Sequence, residues 1–192
     1  LLDAGRATIC GEESAGTGSD HVREKDGLWA VLLWLNILAV RQQSVADILA
    51  DHWRTYGRNY YSRHDFEAIP IEAANALVSA LRDSLGALKG QTFAGLAIAD
   101  ADEFSYEDPI DGSLSTHQGL RVWFEGGARA VLRLSGTGTE GATLRIYYEQ
   151  YAAPDADHGL DAQEALLPVR NATVALCRLE EFTGRNTPDV MT

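Results

Sequence analysis

The most apolar stretch of the sequence is Leu28–Val40, LWAVLLWLNILAV, where hydrophobic residues occupy almost every position. It is too short for the roughly 20 residues that a membrane-spanning helix requires. Because apolar side chains would surround nearly its whole circumference, the pattern predicts a helix that is buried on most sides. Such a helix needs several packing partners, and the neighbouring sequence offers few of them.

The next segment has the narrower apolar stripe of an amphipathic helix. Apolar residues recur at helical spacing through VADILADHWRTY, with Ser44 before them as the predicted N-cap and Gly57 after them as the stop. The period then changes. Aromatic and β-branched residues alternate with polar ones in RNYYSRHDFEAI, which predicts a strand that ends at Pro70.

The remaining elements follow from the same patterns. The sequence IEAANALVSALRDSLGAL predicts an amphipathic helix, AGLAIADADEF a strand and SYEDPIDGSLSTHQ a loop. Three closely spaced strands follow, GLRVWFE, ARAVLRLS and ATLRIYYEQY, and the tight turn Gly126–Gly127 joins the first two. One long helix over GLDAQEALLPVRNATVALCRLEEFTG, with Gly184 past its last turn, closes the chain.

The order β-α-β-β-β-β-α from about Gly57 predicts a complete α+β domain, with helices layered on a sheet. The residues before it form helices without a sheet, which indicates the end of another domain whose sheet is missing. We therefore expect the remnant of one domain over residues 1–50 and a complete domain over residues 51–192.

Charge and cysteine usage limit the partners. A formal net charge of −12 argues against nonspecific nucleic-acid binding, so any phosphate must be held locally. Cys10 and Cys177 match no metal or redox spacing, so we expect two reduced, buried thiols in a cytoplasmic protein. No basic segment precedes an apolar run at the start, and we expect neither a signal peptide nor a membrane partner.

The stretch Arg133–Arg145, RLSGTGTEGATLR, has the composition of a phosphate-binding loop. Its glycines let the backbone fold around an anion, its hydroxyl residues add donors, and each flanking arginine can offer two parallel hydrogen bonds. The pattern GxxxxGK[ST] of a P-loop is absent. The alternative is a flexible connection between strands with two surface arginines.

A second candidate site is CGEESAGTGSDHVREKDG, Cys10–Gly27. Glu12, Glu13 and Ser14 could exchange hydrogen bonds with a polyol such as a sugar. Lys25 would reach the same cleft if the loop folds back, as an electrostatic clamp or a proton carrier. The alternative is a solvated entry to the following helix. None of the five histidines has metal-ligand spacing, and we expect no metal on this chain.

Both motifs closely resemble those of phosphoglucomutases, of the α-D-phosphohexomutase superfamily. The resemblance lies in CGEESAGTGSDHVREKDGLWAVLLWLNILA and in QGLRVWFEGGARAVLRLSGTGTEGATLRIYYEQY, and it continues from YGRNYYSRHDFE to the closing FTGRNTPDVMT. It implies the end of the third of four domains and the whole fourth domain, which has a TATA-binding-protein-like fold. The third domain would be a mixed α/β domain, and its sheet would then cover Leu28–Val40.

The resemblance implies specific roles for residues of both motifs. Glu12 and Ser14 would bind the hexose hydroxyls, and Lys25 would take part in proton transfer. The phosphate that is not being transferred would be held by Arg133, Ser135, Gly136, Thr137 and Arg145. Two positions depart from the family pattern. Ala15 replaces an aromatic residue, and Glu140 adds a negative charge that we expect to point away from the phosphate.

The activity implied is the interconversion of glucose 1-phosphate and glucose 6-phosphate, with Mg²⁺ and glucose 1,6-bisphosphate. The GEES form of the sugar loop favours glucose. A phosphoserine loop of the kind TASHNPGG and a metal loop of the kind DGDGDR are absent from these 192 residues. We therefore expect a C-terminal part that needs the N-terminal domains and is inactive alone. The alternative is a non-catalytic paralogue that serves as a binding or scaffold module.

Overall fold

The structure, a computed structural model, describes residues 1–12, 16–138 and 141–192. The chain forms two compact units. The first comprises residues 1–56 with 108–112, and the second comprises residues 57–107 with 113–192. Their boundary after Tyr56 lies where the sequence pattern changes from helical to β spacing.

The first unit contains a two-stranded antiparallel sheet and two helices. These are β1 (Ile9–Gly11), β2 (Thr17–Ser19), α1 (Gly27–Arg41) and α2 (Val45–Tyr56). The predicted N-cap of α2 is confirmed, because the Ser44 hydroxyl accepts a hydrogen bond of 3.2 Å from the Asp47 amide.

The burial predicted for α1 is wrong in this chain. The helix exists almost as predicted, yet none of its residues is buried, and Leu28 and Val40 are 78% and 82% exposed. The first unit, as far as the structure describes it, lacks a sheet wide enough to cover the helix. Taken singly, every described helix is too short or too polar to cross a membrane. Among the described helices, one pair, α1 and α2, bent by 80° relative to each other, has the combined length and apolar composition of a membrane span.

The second unit is a curled antiparallel sheet with helices packed on one face, so the predicted α+β class is confirmed. The sheet order is β11-β3-β10-β9-β8-β5-β4, and the likeness to the TATA-binding protein stays a prediction. In chain order its elements are β3 (Arg58–Ile69), α3 (Ile71–Leu88), β4 (Thr92–Phe93), β5 (Leu96–Glu103), β6 (Tyr106–Glu107), β7 (Leu114–Ser115), β8 (Leu120–Phe124), β9 (Ala128–Gly138), β10 (Gly141–Ala152), α4 (Ala162–Ala165), α5 (Leu167–Cys177), α6 (Leu179–Thr183) and β11 (Val190–Met191).

The two faces of this sheet differ sharply. On the helix-covered face, alternate residues of the central strands, such as Leu132, Leu144 and Ile146, are at most 1% exposed. The residues between them point to the other face, called the open face here, and are only half-buried. The strand period of two thus separates an apolar core from a polar surface.

The single long helix predicted near the C-terminus is wrong, because this segment forms α4, α5 and α6. Pro168 lies in the first turn of α5 and lacks the amide hydrogen that a continuing helix would need. Arg178 breaks the segment again with a left-handed backbone (φ 51°). Two further predictions are confirmed. Strand β3 ends before Pro70, and Gly126–Gly127 forms the turn between β8 and β9 with φ 84° at both residues.

Candidate functional site

In the first unit, the loop between β1 and β2 brings Glu12 and Lys25 together. Pairing of Cys10 with Gly18 aligns the strands, and the Glu12 amide donates to the Gly16 carbonyl at 3.1 Å across the loop. The Asp26 amide donates to Thr17 of β2 at 3.0 Å, which holds the following segment against the hairpin. As a result Lys25 forms an ion pair with Glu12.

The lysine needs the glycine beneath it. A Cβ atom at Gly16 would lie only 2.8 Å from Cδ of Lys25 and 3.1 Å from Oε1 of Glu12. The side chain of Lys25 therefore lies directly over the backbone of the loop. Because both members of the pair are substantially exposed, a hydroxyl-rich ligand could reach the carboxylate and the ammonium together.

Asp26 fixes the start of α1 beside this pair. Its carboxylate accepts hydrogen bonds from the amides of Leu28 and Trp29, at 2.8 and 3.1 Å. The residue after Lys25 is therefore anchored in the helix cap, which limits how far the lysine can move. Ser14, the other predicted sugar ligand, lies outside the described residues together with Glu13 and Ala15.

In the second unit, the predicted phosphate loop is mostly a regular hairpin. Strands β9 and β10 continue to Gly138 and Gly141, so only Thr139 and Glu140 lie between them, and both are outside the described residues. Arg133 and Arg145 are directly opposite each other in the strand register. The two arginines, twelve positions apart in sequence, are therefore cross-strand neighbours on the open face.

Two irregularities interrupt the ladder just beyond the arginines. Between β9 and β10, Ala142 pairs with Thr137 and Thr143 with Ser135, which leaves Gly136 as an extra residue. Between β10 and β3 the register also shifts next to Ala142. Because β-bulges bend a strand and redirect its side chains, both edges of the hairpin change direction at the predicted phosphate-binding residues.

Asp65 of β3 lies behind Arg145 and was missed by the sequence analysis. Its carboxylate is 5% exposed, and its oxygens lie 3.0 Å from Nε of Arg63 and 3.4 Å from Nε of Arg145. The contact with Arg145 is electrostatic and is not aligned as a hydrogen bond. A nearly buried carboxylate requires such compensation. In the sequence Asp65 is simply an acidic residue within a strand, and its role becomes visible only when β3 pairs with β10.

Arg133 is supported from the opposite side by Gly119. A Cβ atom at Gly119 would lie 2.9 Å from Cγ of Arg133, and the φ of 150° also disfavours other residues. The same arginine lines a cleft of about 540 Å³. In that cleft the Glu103 carboxylate accepts hydrogen bonds from Arg82 and lies 3.0 Å from His117, and the two bases lower the pKa of Glu103.

Other arginines of the open face are held by acidic partners. Arg121 donates two hydrogen bonds to Asp102, at 2.7 and 2.5 Å, and this contact raises its pKa. Arg129, four residues before Arg133 on β9, forms an ion pair with Glu149. These arginines provide an internal comparison for the two predicted to bind phosphate.

Several predicted residues keep their roles only as predictions. Ser135 is half-buried in β9, and Gly136 and Thr137 belong to the same strand. The expected orientation of Glu140 lies outside the described residues. Cys177 is a buried thiol as expected, and burial raises its pKa to about 12, whereas the expected burial of Cys10 is wrong because it is exposed.

The residues that the structure describes do not fit a metal ion. Nowhere among them do three His, Cys, Asp or Glu side chains converge as ligands would. The carboxylates described at the two candidate sites, Glu12 and Asp65, form ion pairs with lysine or arginine, an arrangement suited to an anion or a polyol.

Comparisons with protein families match both units. A family described as "Phosphoglucomutase/phosphomannomutase, alpha/beta/alpha domain III" matches residues 1–56. A second, "Phosphoglucomutase-1, C-terminal domain", matches residues 58–189. The junction between the two matches coincides with the junction between the compact units.

Individual proteins match the whole chain. A phosphoglucomutase of Rhizobium radiobacter is 55% identical over 192 residues, which are 35% of its own length. A chloroplastic phosphoglucomutase of Solanum tuberosum is 49% identical, with 32% of its length covered. The open form of parafusin from Paramecium, a phosphoglucomutase, superimposes with a TM-score of 0.88 at 42% identity over all of this chain and 34% of that one. The chain thus spans about a third of the length of its relatives.

Proposed function

Since the chain belongs to the phosphoglucomutase family, we propose that it forms the sugar- and phosphate-recognising C-terminal part of an enzyme that interconverts glucose 1-phosphate and glucose 6-phosphate. The first unit would be the end of domain III and the second domain IV. A phosphoserine, a Mg²⁺ site and glucose 1,6-bisphosphate as the intermediate would complete the reaction with the remaining domains of a longer protein.

The observation that carries this proposal is the placement of Arg133 opposite Arg145 at the base of a bulged, glycine-rich hairpin. Two guanidiniums on adjacent strands can each present a pair of donors to one phosphate. The hydroxyl of Ser135 and the backbone of Gly136 and Thr137 would complete the set of donors.

Such a site suits a phosphate that is held and not transferred. Arginine stays protonated at every accessible pH, so it neutralises the phosphate without exchanging a proton with it. In a mutase, a bisphosphorylated sugar must turn round between two transfers, and one site must hold whichever phosphate is idle. Asp65 would keep Arg145 on the open face in both orientations of the bisphosphorylated sugar.

The first unit would recognise the sugar. We assign the hexose hydroxyls to Glu12 and Ser14 and a proton transfer to Lys25. The existing pair between Lys25 and Glu12 supports this assignment, because an incoming hydroxyl could accept from the ammonium while it donates to the carboxylate. For the enzyme as a whole we propose the cytoplasm, although named relatives include both cytoplasmic and chloroplastic proteins.

Titration with glucose 1,6-bisphosphate tests the phosphate site. We expect Arg145→Ala to weaken binding at least about tenfold, because it removes one of two charge-assisted contacts to the phosphate. Isothermal calorimetry at fixed, low salt measures the change, since screening weakens exposed charge pairs.

Arg129→Ala is the matched control. Arg129 lies on the same face of β9 as Arg133 but has Glu149 as its partner, so its removal should leave the affinity nearly unchanged. Equal affinities of Arg145→Ala and the parent would exclude the phosphate assignment. Equal losses in both variants would indicate nonspecific attraction to the arginines of the open face.

A further inference from the structure

The bulge in β3 leaves one residue without its ladder partners. Leu144 pairs with Phe66 and Ala142 with Ile69, so Glu67 and Ala68 together face the single residue between Ala142 and Leu144. Ala68 has a left-handed backbone (φ 53°). A bulge with this strain persists only when surrounding contacts hold it.

An ion pair from the C-terminal segment supplies those contacts. The Glu67 amide donates to Oδ2 of Asp189 at 2.7 Å, and Nη1 of Arg185 donates to the Glu67 carbonyl at 2.6 Å. Arg185 and Asp189 are also paired with each other. Both backbone groups of Glu67 are therefore bound by this pair, which we call the Arg185–Asp189 clamp.

The clamp is adjacent to the phosphate hairpin through Gly141. A Cβ atom at Gly141 would lie 2.8 Å from the carbonyl oxygen of Ile69 and 3.1 Å from the carbonyl carbon of Ala68. The end of the hairpin thus rests on the bulge itself. The bulge cannot change its shape without moving Gly141, because the two backbones are in direct contact.

The clamp also reaches the residue behind Arg145. The Asp189 amide donates to the carbonyl of Asp65 at 2.8 Å, next to the pairing of Val190 with Asp65. The carboxylate of Asp65 faces Arg145, whereas its backbone is fixed by the C-terminal segment. The short segment from Arg185 to Val190 thus supports both the hairpin and Asp65, which is the counter-ion of Arg145.

From this arrangement we infer that Arg185 and Asp189 are positioning residues for the phosphate-binding hairpin, with no contact to the phosphate of their own. The inference rests on the proposed function of the hairpin. The clamp holds the Glu67–Ala68 bulge, the bulge supports Gly141, and Gly141 sets the path of the glycine-rich strands. The hydrogen-bond donors of the hairpin are then already in place before the phosphate binds, so less conformational entropy is lost on binding.

The attachment of the C-terminus is separate from the clamp. Arg63 and Thr192 exchange two backbone hydrogen bonds of 3.0 Å, and Met191 pairs with His64. These contacts remain when the side chain of residue 189 is changed. A variant that loses only the clamp is therefore expected to keep β11 in the sheet.

Asp189→Ala tests the inference. We expect its affinity for glucose 1,6-bisphosphate to fall about tenfold, because the hairpin is no longer preorganised. The melting temperature should change little, because the buried core is intact. The backbone amide resonances of Gly141 and Thr143 should shift in the ligand-free protein. Asp189→Asn keeps an oxygen acceptor for the Glu67 amide and should recover much of the affinity.

Glu181→Ala is the matched control, because Glu181 pairs with Arg178 near the same end of the chain and forms no bond to β3. An unchanged affinity and unchanged Gly141 amide in Asp189→Ala would overturn the inference. If the parent binds no sugar phosphate, the proposed function fails first. In that case the Gly141 amide resonance of ligand-free Asp189→Ala tests the clamp by itself. A shifted resonance supports the inference, and an unshifted resonance overturns it. A general loss of folding in Asp189→Ala that Asp189→Asn does not restore would also overturn it.

Discussion

Helix α1 and strand β10 are both rich in apolar residues, but they have opposite environments. From Ala142 to Tyr148 in β10 every second residue is buried against the helices, and Leu144 and Ile146 are fully buried. In α1 the apolar residues surround the helix, and none is buried. Burial therefore depends on which surfaces the rest of the chain provides, and composition alone cannot predict it.

The largest effect should come from the core of the second unit. Leu144→Ala removes a fully buried side chain and should lower the free energy of unfolding by about 2–5 kcal/mol, from lost burial and a cavity. Leu32→Ala in α1, where the side chain is 59% exposed, should change it by less than about 1 kcal/mol. Chemical denaturation followed by circular dichroism measures both. Similar losses would contradict the comparison.

A second difference should appear in association. The exposed face of α1, with Leu28, Leu32 and Leu35, should make the chain self-associate or adhere to apolar surfaces. The double variant Leu32→Glu with Leu35→Glu should weaken association by more than about tenfold, because each charge would have to be buried at the interface. Light scattering across a concentration series measures this. A parent chain that stays strictly monomeric would contradict it.

The smallest effect concerns pH and is confined to the second unit. Burial is the main cause that lowers the pKa of His64, which lies on the helix-covered face and is bonded to Gln163 at 3.1 Å. The unfolded chain binds a proton near pH 6.5 and the folded chain binds it only at lower pH. Stability is therefore fully present above about pH 6.5 and falls as the pH decreases, by at most about 1.4 kcal/mol per unit.

His64→Asn should reduce this pH dependence, because it removes the titrating group from the buried position. Urea unfolding at pH 7.5 and pH 5.5 measures the difference. Parallel losses of stability in parent and variant would assign the dependence to other groups. The exposed His52 gives a control substitution, His52→Asn, which should keep the slope of the parent.

The sequence predicted what local patterns determine. The limits of α1 and β3, the turn at Gly126–Gly127 and the α+β class all depend on periodicity, glycine and proline. It could not predict the break at Arg178, because an arginine with a left-handed backbone has no signature of its own. Nor could it predict the burial of α1, which depends on partners that the pattern does not describe.

For the candidate site, the composition predicted a role for Arg133 and Arg145 but not the residues that contact them. Asp65 and the Arg185–Asp189 clamp act on the hairpin through strand pairings between residues 65 and 145 and between 65 and 190. Such pairings join distant positions, and a single sequence contains no direct signal for them. The approach of Lys25 to the loop of Glu12 was predicted, because only 13 positions separate the two residues, but their ion pair was not.

Gly119 has an implication for how the site would tolerate variation. It offers no functional group, yet any side chain there would displace the stem of Arg133. In saturation libraries selected for phosphate binding, glycine at position 119 should dominate as strongly as arginine at position 133. If the hairpin binds phosphate as proposed, the missing side chain of Gly119 is part of what allows it, and a search restricted to charged or polar residues would overlook this position.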